Sequence, residues 1–182
     1  MKRLILIIMA AVMMVSCGTA RQAGQKPVKT YVQPGADLLD AKDVLRAWAV
    51  GTSNSKTTAK KKAMTAASAE LSRMLNSAVS VAIDDYCVAL SDGATTASKE
   101  YLSQKINVVS EQMLVGARAI FDRWEGPDAE GMYRNYVVLE LPAEEFMKKV
   151  AEALDGSQGV SKVKIDENLL NDLFLKTVNA GK

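Results

Sequence analysis

Histidine is absent from the whole chain. Without an imidazole no Ser–His or Cys–His relay can be assembled, and the commonest zinc ligand is gone. Cysteine is almost as scarce. Cys17 and Cys87 are the only two, too few for a thiolate metal cluster or a disulfide framework. No Gly-x-Gly-x-x-Gly and no phosphate-loop pattern occurs, so a nucleotide cradle of either kind is excluded. Aromatic residues make up 5% of the chain and are not interleaved with basic ones as on a nucleic-acid platform. The adjacent carboxylates Asp84 and Asp85 lack the converging oxygen ligands that a hard cation needs, and they read as a solvated helix-to-loop junction. The expectation is a protein without catalytic residues, cofactor or metal.

What is present begins at the N-terminus. Lys2 and Arg3 precede an apolar run over residues 4–16. The run is shorter than the ~20 residues that cross a bilayer, and no second long apolar run follows. A basic start, a short apolar core and a small residue before the cleavage point make residues 1–16 a secretory signal. The closing residues Met14-Val15-Ser16-Cys17 resemble the bacterial lipoprotein box. That resemblance implies that Cys17 is acylated, with palmitate-type chains, and becomes the mature N-terminus on a membrane. Two or more such chains anchor stably, whereas one binds only marginally. Cys87 is then the remaining thiol, and its apolar surroundings from Ile83 to Leu90 read as packing rather than reactivity.

Loss of the signal also changes the charge. Without Lys2 and Arg3 the 23 basic residues fall to 21, equal to the 21 acidic ones. A formally neutral mature chain gives no argument for a nucleic-acid partner. The local cluster Lys56, Lys60, Lys61 and Lys62 reads as solvated lysines, with a lipid-headgroup contact as its functional version. Residues 17–37 hold the acylated cysteine and a small, polar stretch broken by Pro27 and Pro34. Such composition reads as a flexible tether with a reach on the order of 25 Å. In some groups of bacterial lipoproteins an acidic cluster after the cysteine marks export to the cell surface; none follows Cys17, so the resemblance implies the periplasmic side of the outer membrane.

Residues 38–182 have the length of one domain. Val44 to Gly51 reads as a strand ended by Gly51 and the polar residues after it. Ala63, Ala66, Ala67, Leu71, Met74, Leu75, Ala78, Val79, Ala82 and Ile83 then repeat at helical spacing, with Thr57 or Thr58 as the cap. Residues 91–96 read as a loop, residues 97–109 as a second helix, and residues 113–124 as extended. A Gly-Pro-Asp connection leads into Tyr133 to Leu141, the strongest strand signal. Pro142 ends that strand and opens a helix with Phe146, Val150 and Leu154 on one side. Asp166 caps a last helix carrying Leu169, Leu170, Leu173, Phe174 and Val178. Trp48 and Trp124, each on a strand, read as core or sheet-face packing rather than a sugar platform.

A set of these residues carries a family likeness. Ala47-Trp48-Ala49-Val50-Gly51-Thr52 precedes a helix with Ala59, Ala63, Ala66, Ala67 and Ala69 leading into Glu70-Leu71. Residues 115–124 and 133–141 follow. The combination resembles the lipoprotein-twenty family of bacterial envelope lipoproteins, over roughly residues 43–154. The resemblance implies a strand–helix–strand–strand core, dodecin-like, with the long helix across a small antiparallel sheet. It implies no enzymatic activity and transfers no catalytic residue. The residue pattern gives the same α+β order with extra helices. The expected function is therefore a membrane-anchored, non-enzymatic lipoprotein with a structural or assembly role in the envelope. A second copy or another envelope protein is the expected partner, besides the lipid held by Cys17. The alternative is a periplasmic module that binds a lipid or glycan between sheet and helix, near Trp48, Trp124 and Tyr136.

Overall fold

The computed structural model describes residue 34 and residues 36–90, 96–155 and 165–180. Cys17, the signal and most of the tether lie outside the described residues, as do residues 91–95 and 156–164. The described ones all fall in one unit, Pro34–Lys182. A one-turn helix, α1 (Ala36–Leu39), leads to β1 (Val44–Ser53), α2 (Lys56–Ala89), α3 (Thr96–Val115), β2 (Arg118–Glu125), β3 (Tyr133–Pro142), α4 (Ala143–Asp155) and α5 (Glu167–Ala180). The protein is α+β: the described residues form four longer helices and a three-stranded antiparallel sheet of order β1-β3-β2.

The central strand is the one whose sequence is most β-prone. From Asn135 to Leu141 every residue of β3 is buried, because both of its neighbours are strands and one sheet face is covered by α2. Leu45 and Ala47 of β1 and Val137, Leu139 and Leu141 of β3 point to that face. They meet Ala63, Ala67, Leu71 and Leu75 of α2. Each large side chain fully buried there contributes roughly 1.5–3 kcal/mol. Alanine in the first half of α2 lets the helix lie close to the strands, and Leu71, Leu75, Ile83 and Tyr86 fill the wider second half.

Several local expectations are corrected. Gly51 does not end β1, which pairs with β3 without a register shift from Val44 to Ser53. A Cβ on Gly51 would lie 2.0 Å from the Ala59 carbonyl oxygen and 2.5 Å from the Ala63 nitrogen. Its absence is what lets β1 pass under α2. The helix starts at Lys56, so neither Thr57 nor Thr58 is the cap. Ser55 holds that position in an extended conformation without a side-chain cap bond. The chain also turns helical at Ala36, inside the stretch expected as tether, and the Leu38 carbonyl accepts a bond from Arg46 Nη1 at 2.6 Å. Residues 113–115 belong to α3 rather than to a strand. Met113 and Leu114 are good helix formers that pack on the core, and the chain leaves the helix only at Gly116.

The ends are tied in. Asp166 caps α5 as expected, accepting from the Leu169 N–H at 3.1 Å, while its own N–H donates to the Tyr86 hydroxyl at 2.8 Å. Leu170, Phe174 and Val178 are buried, so α5 packs on the domain. At its far end Asn179 bonds Asp43 twice, to backbone and carboxylate. Asp43 sits at φ 55, a left-handed conformation that Asp tolerates better than most residues. The start of β1 is thus latched to the last helix.

Candidate functional site

A groove of about 990 Å³ runs between the outer edge of β1 and the flank of α2. Its floor and walls include Ala47 and Ala49 of β1, Ala66, Glu70 and Met74 of α2, and Val178 at the end of α5. Ala66 was expected in the packed stripe of the long helix, yet it is exposed and lines this groove. Glu70 is held by Arg73 at 2.6 Å on the rim. Beyond the groove Val50 is 42% exposed. Because order β1-β3-β2 leaves β1 at the edge of the sheet among the described residues, the groove lies beside an edge row of main-chain donors and acceptors. This arrangement can bind an extended segment by adding it to the sheet.

The second sheet face is lined by alternate residues. Register places Arg46, Glu140 and Arg118 in one row, and Trp48, Val138 and Phe121 in the next. Glu140 is 5% exposed. It accepts from Arg46 Nε at 2.8 Å and from Arg118 Nη2 at 2.6 Å. Burial alone would raise its carboxyl, but the hydrogen bonds and charges of the two guanidinium groups hold it below the ordinary value. This is an ion cluster in which both carboxylate oxygens are engaged by guanidinium groups.

On the helix-covered face a third polar group forms. Asp122 takes a bond from Lys60 at 2.6 Å and from Asn135 Nδ2 at 2.6 Å. The Lys60 bond is the main reason its carboxyl is held low, with Asn135 adding to it against the effect of burial. The lysine cluster is accordingly divided: Lys60 is paired, Lys62 donates to the Thr52 carbonyl at 3.1 Å, and Lys56 lies over the Tyr133 ring at 5.3 Å.

The aromatic residues expected around a ligand are not brought together. Trp48 and Tyr136 share the second face, but Trp124 stands opposite Asn135 on the other one. Trp124 is 37% exposed, so it is not a core residue. Of the three, Trp48 alone borders the groove. Asp84 and Asp85 are exposed but lie inside α2, short of the expected helix-to-loop junction. Asp84 pairs with Lys99 at 2.5 Å. Cys87 is half-buried and packs against the core. Cys17, the one residue expected to be modified, is outside the described residues. No group of residues arranged to hold a metal ion, and no helix long and apolar enough to cross a membrane, occurs among the described residues.

No family model, curated protein or solved structure matches the chain. Sequence reasoning missed the groove because its walls come from β1, α2 and α5. The readable signal was the small residue at every second position, Ala47, Ala49 and Gly51, which marks the close strand–helix approach beside it.

Proposed function

We propose that the chain is a lipid-anchored lipoprotein of the bacterial envelope, non-enzymatic, whose folded part is a docking module of the lipoprotein-twenty kind. Cys17, following the apolar run 4–16, is its anchor, and the periplasmic side of the outer membrane is its place. The observation that carries the docking role is the β1 edge, without a strand partner among the described residues, beside the groove. The lack of histidine and the engagement of Glu140 and Asp122 in ion pairs support a role in binding rather than catalysis.

A second reading has the groove hold a lipid or glycan, which its apolar lining around Met74 and Trp48 favours. That ligand would occupy the groove without consuming the main-chain groups of β1. The docking reading is preferred because it uses both features.

Fractionation of cells expressing the native chain or Cys17→Ala tests the anchor. The native chain is expected in the outer-membrane fraction, and Cys17→Ala as a soluble or uncleaved form outside it. Equal retention of both chains in that fraction would contradict acylation at Cys17.

A further inference from the structure

We propose that the occupant of the β1 edge is a second copy of this chain, seated antiparallel about a two-fold axis at Ala49. The proposal rests on reading the β1 edge as the docking strip and names what docks there.

The two sheet edges are not equivalent. β2 has eight residues, a register shift between Ala119 and Phe121, and the charges of Arg118, Asp122, Arg123 and Glu125. Bulges and charges of this kind blunt an edge against pairing. β1 has ten residues, pairs with β3 in unbroken register, and carries one charge, that of Arg46, which Glu140 holds. Neither Pro nor Lys interrupts it. An edge this regular is a template for another strand.

The sequence of β1 identifies that strand. Around Ala49 it reads small, large, small, large, small: Ala47-Trp48-Ala49-Val50-Gly51. An antiparallel copy centred on Ala49 sets Trp48 opposite Val50 twice, both on the second face. Aromatic–β-branched cross-strand pairs are favourable, and the exposed Val50 is covered. On the helix side Ala47 faces Gly51 and Ala49 faces its own mate, so the small side chains leave room for both α2 helices.

A strip about 33 Å long and as deep as a sheet plus a helix, ~20 Å, offers on the order of 700 Å² per copy. That is close to the ~800 Å² per partner of a standard specific interface. The pairing is isologous and closes at two copies.

The test uses the full chain extracted in detergent, its mass measured by light scattering. The native chain is expected as a dimer. Val50→Lys, a surface change, is expected to weaken dimerisation roughly 10-fold or more, because it removes both Trp48–Val50 pairs and sets a lysine of each copy on the pairing edge, with its circular dichroism unchanged. In a Cys87→Ser background, Ala49→Cys is expected to give a disulfide-linked dimer on mild oxidation. Directly opposed strand residues lie within the Cα separation that a disulfide spans, and the Cys87→Ser parent supplies the blank. A monomeric native chain, a dimer indifferent to Val50→Lys, or no band above the blank overturns the proposal. If the native chain is monomeric but loses another envelope partner on Val50→Lys, the self-pairing fails while the docking role of β1 stands.

Discussion

Gly51→Ala is expected to lower the thermal midpoint by ~8–16 °C, corresponding to about 4 kcal/mol. The new methyl carbon would lie 2.0 Å from the Ala59 carbonyl oxygen and 2.5 Å from the Ala63 nitrogen. Both are backbone atoms of α2, so no rotamer change relieves the clash. The helix must lift from β1 along its alanine-rich half, opening space around Ala63 and Ala67, which are now fully buried. Overpacking costs typically about 1–3 kcal/mol, and more where the obstacle is rigid. The gain from replacing a glycine in a strand interior, roughly 0.5–1 kcal/mol, offsets little of this. Gly116→Ala is the control, because its Cβ would meet Met113 at 3.7 Å, an ordinary contact. Thermal unfolding followed by circular dichroism compares the two. Equal midpoints for Gly51→Ala and the native chain would show that α2 is not seated on β1 as described.

Glu140→Gln is expected to cost about 3 kcal/mol, or ~6–12 °C in midpoint, at neutral pH. The loss comes from stranding Arg46, whose side chain is 16% exposed and which also holds the Leu38 carbonyl. Arg118 is 71% exposed, and its pair with Glu140 is worth no more than ~1 kcal/mol. The effect depends on pH with a definite sign. A carboxyl whose folded-state pKa is depressed stabilises the fold above its unfolded value of ~4.3. That contribution disappears as pH falls through the lower folded-state value. Asp122 is also held low and contributes to acid unfolding in both proteins, so the difference between native and variant isolates Glu140. Denaturant titrations from neutral pH down to ~2 should show the gap narrowing below pH ~4. A gap constant over that range would mean that the carboxylate charge is not what stabilises the cluster.

The parts of the fold that were legible are those in which local pattern and tertiary role coincide. Leu71, Leu75, Val79 and Ile83 repeat at helical spacing because one side of α2 faces the sheet. β3 is buried on both faces from Asn135 to Leu141 because it is central. Asp166 caps its helix through an interaction only three residues long. The misreadings occur where those two levels part. Met113 to Val115 is apolar and short, a pattern that fits strand and helix alike, and the packing of Met113 and Leu114 on the core decides for the helix. Gly51 looks like a terminator in sequence, but its reason is a contact with α2. Glu140 sits in an apolar run and gives no sign of Arg46, 94 positions away. The groove was equally hidden, being shared among three elements distant in the chain. Of the two readings for Trp124, core or sheet face, its place on the edge strand β2 and its 37% exposure leave the sheet face.

The account's central claim is that an anchored domain docks through the β1 edge. Crosslinking in intact envelopes, read by mass spectrometry on the native chain and Val50→Lys, tests it most directly. The native chain is expected to form crosslinks between molecules at residues flanking β1 and the neighbouring side of α2, and Val50→Lys is expected to lose most of them while remaining in the membrane fraction. Crosslinks that map elsewhere, or that persist unchanged in Val50→Lys, would contradict it.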